Sequence, residues 1–165
     1  MDYTDRLSLP LLAAGQAQKE LFHNESLQRL DIAVAAAVEG PPQDDPPAAP
    51  AEGSCYLVGD APTGDWMQFP AHLAGYGGGG WRFLAPTVGM AVFVKSTETL
   101  AVYRSTGWDC GTVRATTLDI DGVQVVGPQA QAIADPVAGA TIDSEARSAV
   151  SAILSALRQH GLISA

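Results

Sequence analysis

Apolar positions recur along this chain with two different periods, and the change of period divides it. Over residues 7–38, Leu21, Phe22, Leu27, Leu30, Val34 and Val38 follow one another at mixed three- and four-residue steps, as on one face of an α-helix, until Gly40, Pro41 and Pro42 close the run. Pro10 and Gly15 put the start of the helix after them, and Asn24 with Glu25 offers a cap at which it could break and restart. Ala33, Ala35 and Ala36 keep the remaining surface small, so this helix can approach another backbone closely. The simpler reading is an amphipathic helix packed on its own domain; the alternative is a bundle between subunits.

Residues 40–53 break both periods. Five prolines and no aromatic or branched apolar residue predict an extended, semi-rigid spacer that separates the helix from the rest of the chain. From 54 to 127 short apolar runs (Cys55-Tyr56-Leu57-Val58, Trp81-Arg82-Phe83-Leu84, Met90-Ala91-Val92-Phe93-Val94, Leu100-Ala101-Val102-Tyr103, Val123-Gln124-Val125-Val126) alternate with turn signals. Gly77, Gly78, Gly79 and Gly80 lead into a strand-like segment with no helix N-terminus after them, so they read as a hairpin tip and not a phosphate loop. In the tail, Asp143 caps a helix over 143–160 with Ala146, Val150, Ile153, Leu154 and Leu157 on one face, and Gly161 ends it.

The expected fold is α+β and mainly β: a small antiparallel β-sandwich or jelly-roll-like unit flanked by an N-terminal and a C-terminal helix. The expected divisions are a helical anchoring or oligomerisation segment over 1–39, the spacer 40–53, a β domain 54–127 and a C-terminal segment 128–165.

Composition changes that picture in one respect. Of 165 residues 47% are hydrophobic, but 27 alanines, 17 glycines and 11 prolines make up a third of the chain, so the private core is thin. Such a chain is suited to completing its core by assembling with copies of itself or with another surface. The formal charge of −9 with no basic cluster excludes binding to nucleic acid by phosphate neutralisation. No apolar run approaches the ~20 residues of a membrane helix, and the N-terminus lacks the pattern of a secretory signal, so the expectation is a soluble product made in the cytoplasm without membrane insertion.

Little points to catalysis. Cys55 and Cys110 lie far apart with no CxxC, and spacing leaves open whether they form a disulfide. His23, His72 and His160 are scattered, and no metal or cofactor is expected. Asp60 and Asp65 in one loop, or Asp119 and Asp121 along one strand, have the residue types of a glycosidase pair or a calcium loop without the spacing that would specify either. Adjacent residues of a helix point apart, which argues against a catalytic use of His23-Asn24-Glu25. Trp66, Trp81 and Trp108 each follow turn residues, where an aromatic face can stack on a sugar ring while Asp65, Gln68, Arg82 and Asp109 bond its hydroxyls; the simpler reading is that they plug the ends of a small core.

The run from Leu9 to Glu20 (LPLLAAGQAQKE), with His23-Asn24-Glu25 and Leu30-Asp31 after it, resembles the opening of a domain of unknown function found in tailed-phage and gene transfer agent proteins. The similarity continues through Tyr56-Leu57-Val58-Gly59, Thr63-Gly64-Asp65-Trp66, Gly80-Trp81-Arg82-Phe83 and Gly107-Trp108, and on into the C-terminal segment. It implies a non-enzymatic particle component: a head-spike base or adaptor that joins the capsid protein to a spike fibre protein, aids adhesion to capsular polysaccharide, and resides on the particle head after release by lysis. A homo-oligomer, trimer or pentamer, is expected, with Leu21, Phe22, Leu27, Leu30 and Val34 as its anchoring contacts. The alternatives are a carbohydrate-binding module that touches glycan through its tryptophans, and a small glycan-degrading enzyme.

Overall fold

A computed structural model describes residues 2–13, 15, 19–137 and 143–164. Its elements are α1 (Lys19–Ala33), β1 (Ala37–Val38), β2 (Cys55–Leu57), a 3-10 turn (Gly64–Trp66), β3 (Leu73–Gly77), β4 (Gly80–Leu84), β5 (Ala91–Val94), β6 (Thr99–Arg104), β7 (Gly107–Cys110), β8 (Leu118–Ile120), β9 (Val123–Val126) and α2 (Ser144–Gln159). The fold is α+β and mostly β, with a helix towards each end of the chain. It divides into two compact units, Met1–Thr112 and Val113–Ala165.

The first unit is built on two sheets, β1-β5-β6-β7 and β2-β3-β4. All their pairings are antiparallel except β1 with β5, which is parallel. Alternation along each strand sorts side chains to two faces. Val38, Val92, Val94 and Ala101 of the first sheet meet Cys55, Leu57 and Leu73 of the second in one buried cluster, which Ile32 and Ala36 complete and against which Leu84, Met90 and Trp108 pack. The helix reaches this cluster because β3 carries Gly75 where the Ile32 side chain lies; a methyl group there would collide with it. The opposite face of β2-β3-β4 forms a second cluster of Val58, Trp66 and Ala74 with Tyr56, Trp81 and Phe83.

Three expectations need correction. Among the described residues the helical run over 7–38 yields a helix over Lys19–Ala33, which stops short of Val38 because Ala35 takes a left-handed φ of 46° and the chain turns into β1. The proline-rich stretch is not a spacer between separate bodies. The Glu39 and Gln43 amides donate to the carbonyls of Cys55 and Leu57, and the Gly59 amide donates to Gln43, so the stretch runs beside β2. Prolines suit it because that edge uses few of its own N–H groups. Finally, the hairpin β8-β9 belongs to the second unit with α2, so the β domain anticipated as 54–127 is divided at Thr112.

In the second unit Asp121 and Gly122, both at positive φ, turn β8 into β9. Asp143 caps α2 by accepting from the Ala146 amide at 2.8 Å, and the Leu162 amide returns to the Leu157 carbonyl past Gly161.

Candidate assembly and contact surfaces

The N-terminal strap and α1 form one surface. Asp31 lies in the last turn of α1 and is 2% exposed. Its carboxylate accepts from Thr4 Oγ1 at 2.7 Å, the Arg6 amide at 2.9 Å and the Leu7 amide at 2.6 Å. Arg6 returns the contact, its guanidinium donating to the carbonyls of Asp31, Ile32 and Ala35, where the end of a helix leaves acceptors unfilled. Further back, the Asn24 side-chain amide pairs with both backbone groups of Leu12, at 2.9 and 3.0 Å. Glu25 bonds Arg82 of β4 at 3.0 Å. Asn24, Glu25 and Asp31 are therefore architectural: they fasten the strap to the helix and the helix to the sheet. Gln16, Ala17 and Gln18 of the same motif lie outside the described residues.

Fastened on that side, α1 leaves its other side bare. Phe22, at 81%, and Leu30 are exposed there; Leu21 is exposed on the side that carries Glu25 and Ile32, Val34 is exposed just beyond the helix, and Leu27 is half-buried. Leu12, Lys19, Phe22, His23 and Ser26 line a shallow open groove along it. All five predicted anchoring residues thus belong to one helix and its C-terminal edge, and four of them project into solvent.

The predicted glycan residues do not converge. Trp66 is 0% exposed, so it has no face to offer a sugar ring; it packs edge-on against Trp81 at a centroid distance of 5.1 Å. Its Nε1 hydrogen finds no acceptor among the described residues. Trp108 is half-buried against the sandwich core and donates its Nε1 hydrogen to the Ala71 carbonyl at 2.8 Å. Arg82 is bound to Glu25, and Asp109 to Arg104 at 2.7 Å, so these two groups serve the fold. Trp81 keeps part of its surface, and Asp65 and Gln68 are exposed.

Around Trp81, however, lies an aromatic face that residue spacing alone does not reveal. Tyr56, Tyr76 and Phe83 flank it, at centroid distances of 5.8, 4.9 and 6.4 Å, and Phe69 stacks on Phe83 at 3.9 Å. His72 meets the edge of Phe69. The available signal is the alternation in β3 and β4, which sends Tyr76, Trp81 and Phe83 to the same side of the sheet.

The second unit leaves most of its apolar residues uncovered. Every residue of β8 and β9 is exposed, including Leu118, Ile120, Val123, Val125 and Val126. On α2 only Leu154 is buried.

Both cysteines are free thiols, Cys55 buried and Cys110 exposed. Burial pushes the Cys55 thiol up, partly offset by the positive charges of Arg6 and Lys95; Cys110 is raised by partial desolvation and by Asp109 beside it. Hydrogen bonds from its own backbone amide and from Ser144 hold the exposed Glu145 carboxyl below its ordinary range. Asp60, Asp119 and Asp121 are exposed, and among the described residues no cluster of three or more His, Cys, Asp or Glu is placed to hold a metal ion. No helix among the described residues is long and apolar enough to cross a membrane.

A family model described as a protein of unknown function (DUF2793) matches residues 23–109, more than half of the chain. The matched stretch runs from α1 through β7 and takes in both sheets of the first unit. No curated protein matches the chain.

Proposed function

The chain belongs to the DUF2793 family, and we propose that it is a non-enzymatic structural component of a phage-like or gene transfer agent particle. In this reading it is a head-spike base or adaptor that docks on the capsid protein, carries a fibre protein and contributes to adhesion to capsular polysaccharide. The observation that carries the proposal is the bare side of α1, where Phe22 and Leu30 project away from Asn24 and Asp31, which clamp the helix to the strap. A rigid helix with large exposed apolar residues is suited to docking, because little conformational freedom is lost when it is covered.

The test is co-purification with particles. Phe22→Asp with Leu30→Asp changes two exposed residues and leaves Asp31, Ile32 and Asn24 in place, so the fold should persist. The expected outcome is loss of the protein from purified particles with an unchanged far-UV spectrum. Full retention on particles would refute the anchoring role. Deleting the whole N-terminal segment would be uninformative, since β1 and Ile32 are part of the core.

A second reading draws support from the aromatic face. Half-exposed Tyr76, Trp81 and Phe83 present ring surface of the kind that stacks on sugars, near a turn carrying exposed Asp65 and Gln68. If the glycan binds there, Tyr76→Ala and Trp81→Ala should abolish retention on immobilised capsular polysaccharide, while Trp108→Ala should not.

A further inference from the structure

We propose that the bare side of α1 receives an acidic, apolar segment of another protein, whose carboxylates meet Lys19 and Arg29 while its apolar side chains cover Phe22 and Leu30. Resting on the reading of α1 as the docking element, this names the chemistry of what docks there.

With about 3.6 residues per turn, Arg29, Phe22, Ser26, Lys19, Leu30 and His23 fall in that order within about 120° of arc around the helix. All six are exposed, and Leu12 of the strap lines the shallow groove beside them. Asn24 and Asp31, which bind the strap, lie on the opposite side, and Glu25, which bonds Arg82, lies outside the arc. The arc therefore carries two fixed positive charges and no carboxylate.

The use of cations elsewhere in the chain selects the partner. Arg82, Lys95, Arg104 and Arg158 pair with Glu25, Glu39, Asp109 and Asp135. Arg6 and Arg147 donate to backbone carbonyls, and Arg114 has a partner as well. Of the 9 lysines and arginines, only Lys19 and Arg29 have no partner among the described residues, although the chain holds 18 aspartates and glutamates. Those two share one face with the large exposed Phe22 and Leu30. A purely apolar partner would strip water from both cations and return nothing, whereas a carboxylate at each restores the lost contacts. Ten residues separate Lys19 from Arg29, about 15 Å along the axis, with Phe22 and Ser26 between them. A short helix with acids towards its two ends and apolar residues between them matches that spacing. A second copy would bring another net charge of −9 with it, and an anionic membrane or a nucleic acid calls for a denser basic cluster than two residues.

The probe is a synthetic helical peptide of leucine and glutamate with its acids at the two ends, titrated into the full chain and followed by backbone amide shifts. Its counterpart has lysine in place of every glutamate. The expected result is shifts centred on residues 19–33, with the acidic peptide bound about tenfold more tightly than the basic one and less tightly as salt rises. The overall charge of the chain favours the basic peptide, so a preference for the acidic one can arise only locally. Lys19→Glu/Arg29→Glu should reverse the preference, and Lys19→Arg/Arg29→Lys should keep it. Both positions are exposed, so the charge-reversed variant should retain its far-UV spectrum and melting temperature. Equal affinity for the two peptides, a preference unchanged by charge reversal, shifts away from α1 or no binding would each overturn the proposal. Tighter binding to phosphatidylglycerol vesicles than to the acidic peptide would assign the face to a membrane and overturn it too. So would a solution mass above 17.1 kDa that falls to the single-chain value in Lys19→Glu/Arg29→Glu, since the occupant would then be a second copy. Co-purification scores the particle role by itself, and either reading can fail while the other stands.

Discussion

Asp31 and Gly75 are the two positions where a single side chain decides whether the N-terminal segment belongs to the fold. Asp31→Ala removes the acceptor for one hydroxyl and two amides in a nearly waterless site, so it should lower unfolding free energy by about 3 kcal/mol, read as a reduced denaturant midpoint. Gly75→Ala forces Ile32 out of its seat against β3 and should cost about 1–3 kcal/mol through overpacking. The cysteines differ chemically as well as in position. Alkylation of native protein should modify Cys110 and spare Cys55 until the chain is unfolded. Because both thiols are raised, the thiolate fraction of Cys110 at a given alkaline pH is below that of a free cysteine, and the pH midpoint of its labelling rate should lie higher. The folded state holds the proton of Cys55 more tightly than the unfolded state does. That contribution to stability is complete below the ordinary thiol pKa and is lost as pH rises through the folded value. An aspartate in a mostly apolar stretch gives no sign in sequence of which backbone amides it will receive. The strap therefore escapes pattern reading, although Leu30-Asp31 stands within the motif that carries the resemblance.

At the scale of elements, legibility depends on local chemistry. The second helix announces itself through its cap, its apolar spacing and Gly161, and it lies where expected. Replacing the cap by Asp143→Ala should cost about 1 kcal/mol of helix stability, visible as faster amide exchange in the first turn of α2 and not in the sandwich. The glycine run is the β3-β4 hairpin tip, with Gly77 paired to Gly80. Strand β3 itself, Leu73-Ala74-Gly75-Tyr76-Gly77, lacks the branched residues that mark strands, because its small side chains make room for α1 and the aromatic cluster. Strand β1 is hidden inside a helical period for a related reason: Val38 continues the apolar spacing but is drawn into the core by pairing with β5, a contact 56 residues distant. The glycan candidates rest on residue type alone, and residue type does not tell an exposed indole from a buried one. Arg82→Ala separates those roles. It should cost at most about 1 kcal/mol, as a partly exposed ion pair does, and leave polysaccharide retention unchanged.

The whole molecule reads as a self-sufficient sandwich and a second unit with little private core. Residues 1–112 expressed alone should fold and melt cooperatively, because both buried clusters lie within them. Residues 113–165 alone should show little helix by circular dichroism, since Leu154 and Ile163 are their only buried hydrophobics among the described residues. The parallel pairing of β1 with β5 also sets a timetable. As the chain is synthesised, residues 37–38 have no neighbour until residues 93–94 exist, and Ile32 has no seat until Gly75 does. At translation speed that is a wait of several seconds. During it residues 19–33 have no sheet to hold them in place. Clamping of α1 is therefore a late event, coupled to closure of the sandwich, and any partner that requires the clamped helix cannot engage a half-made chain.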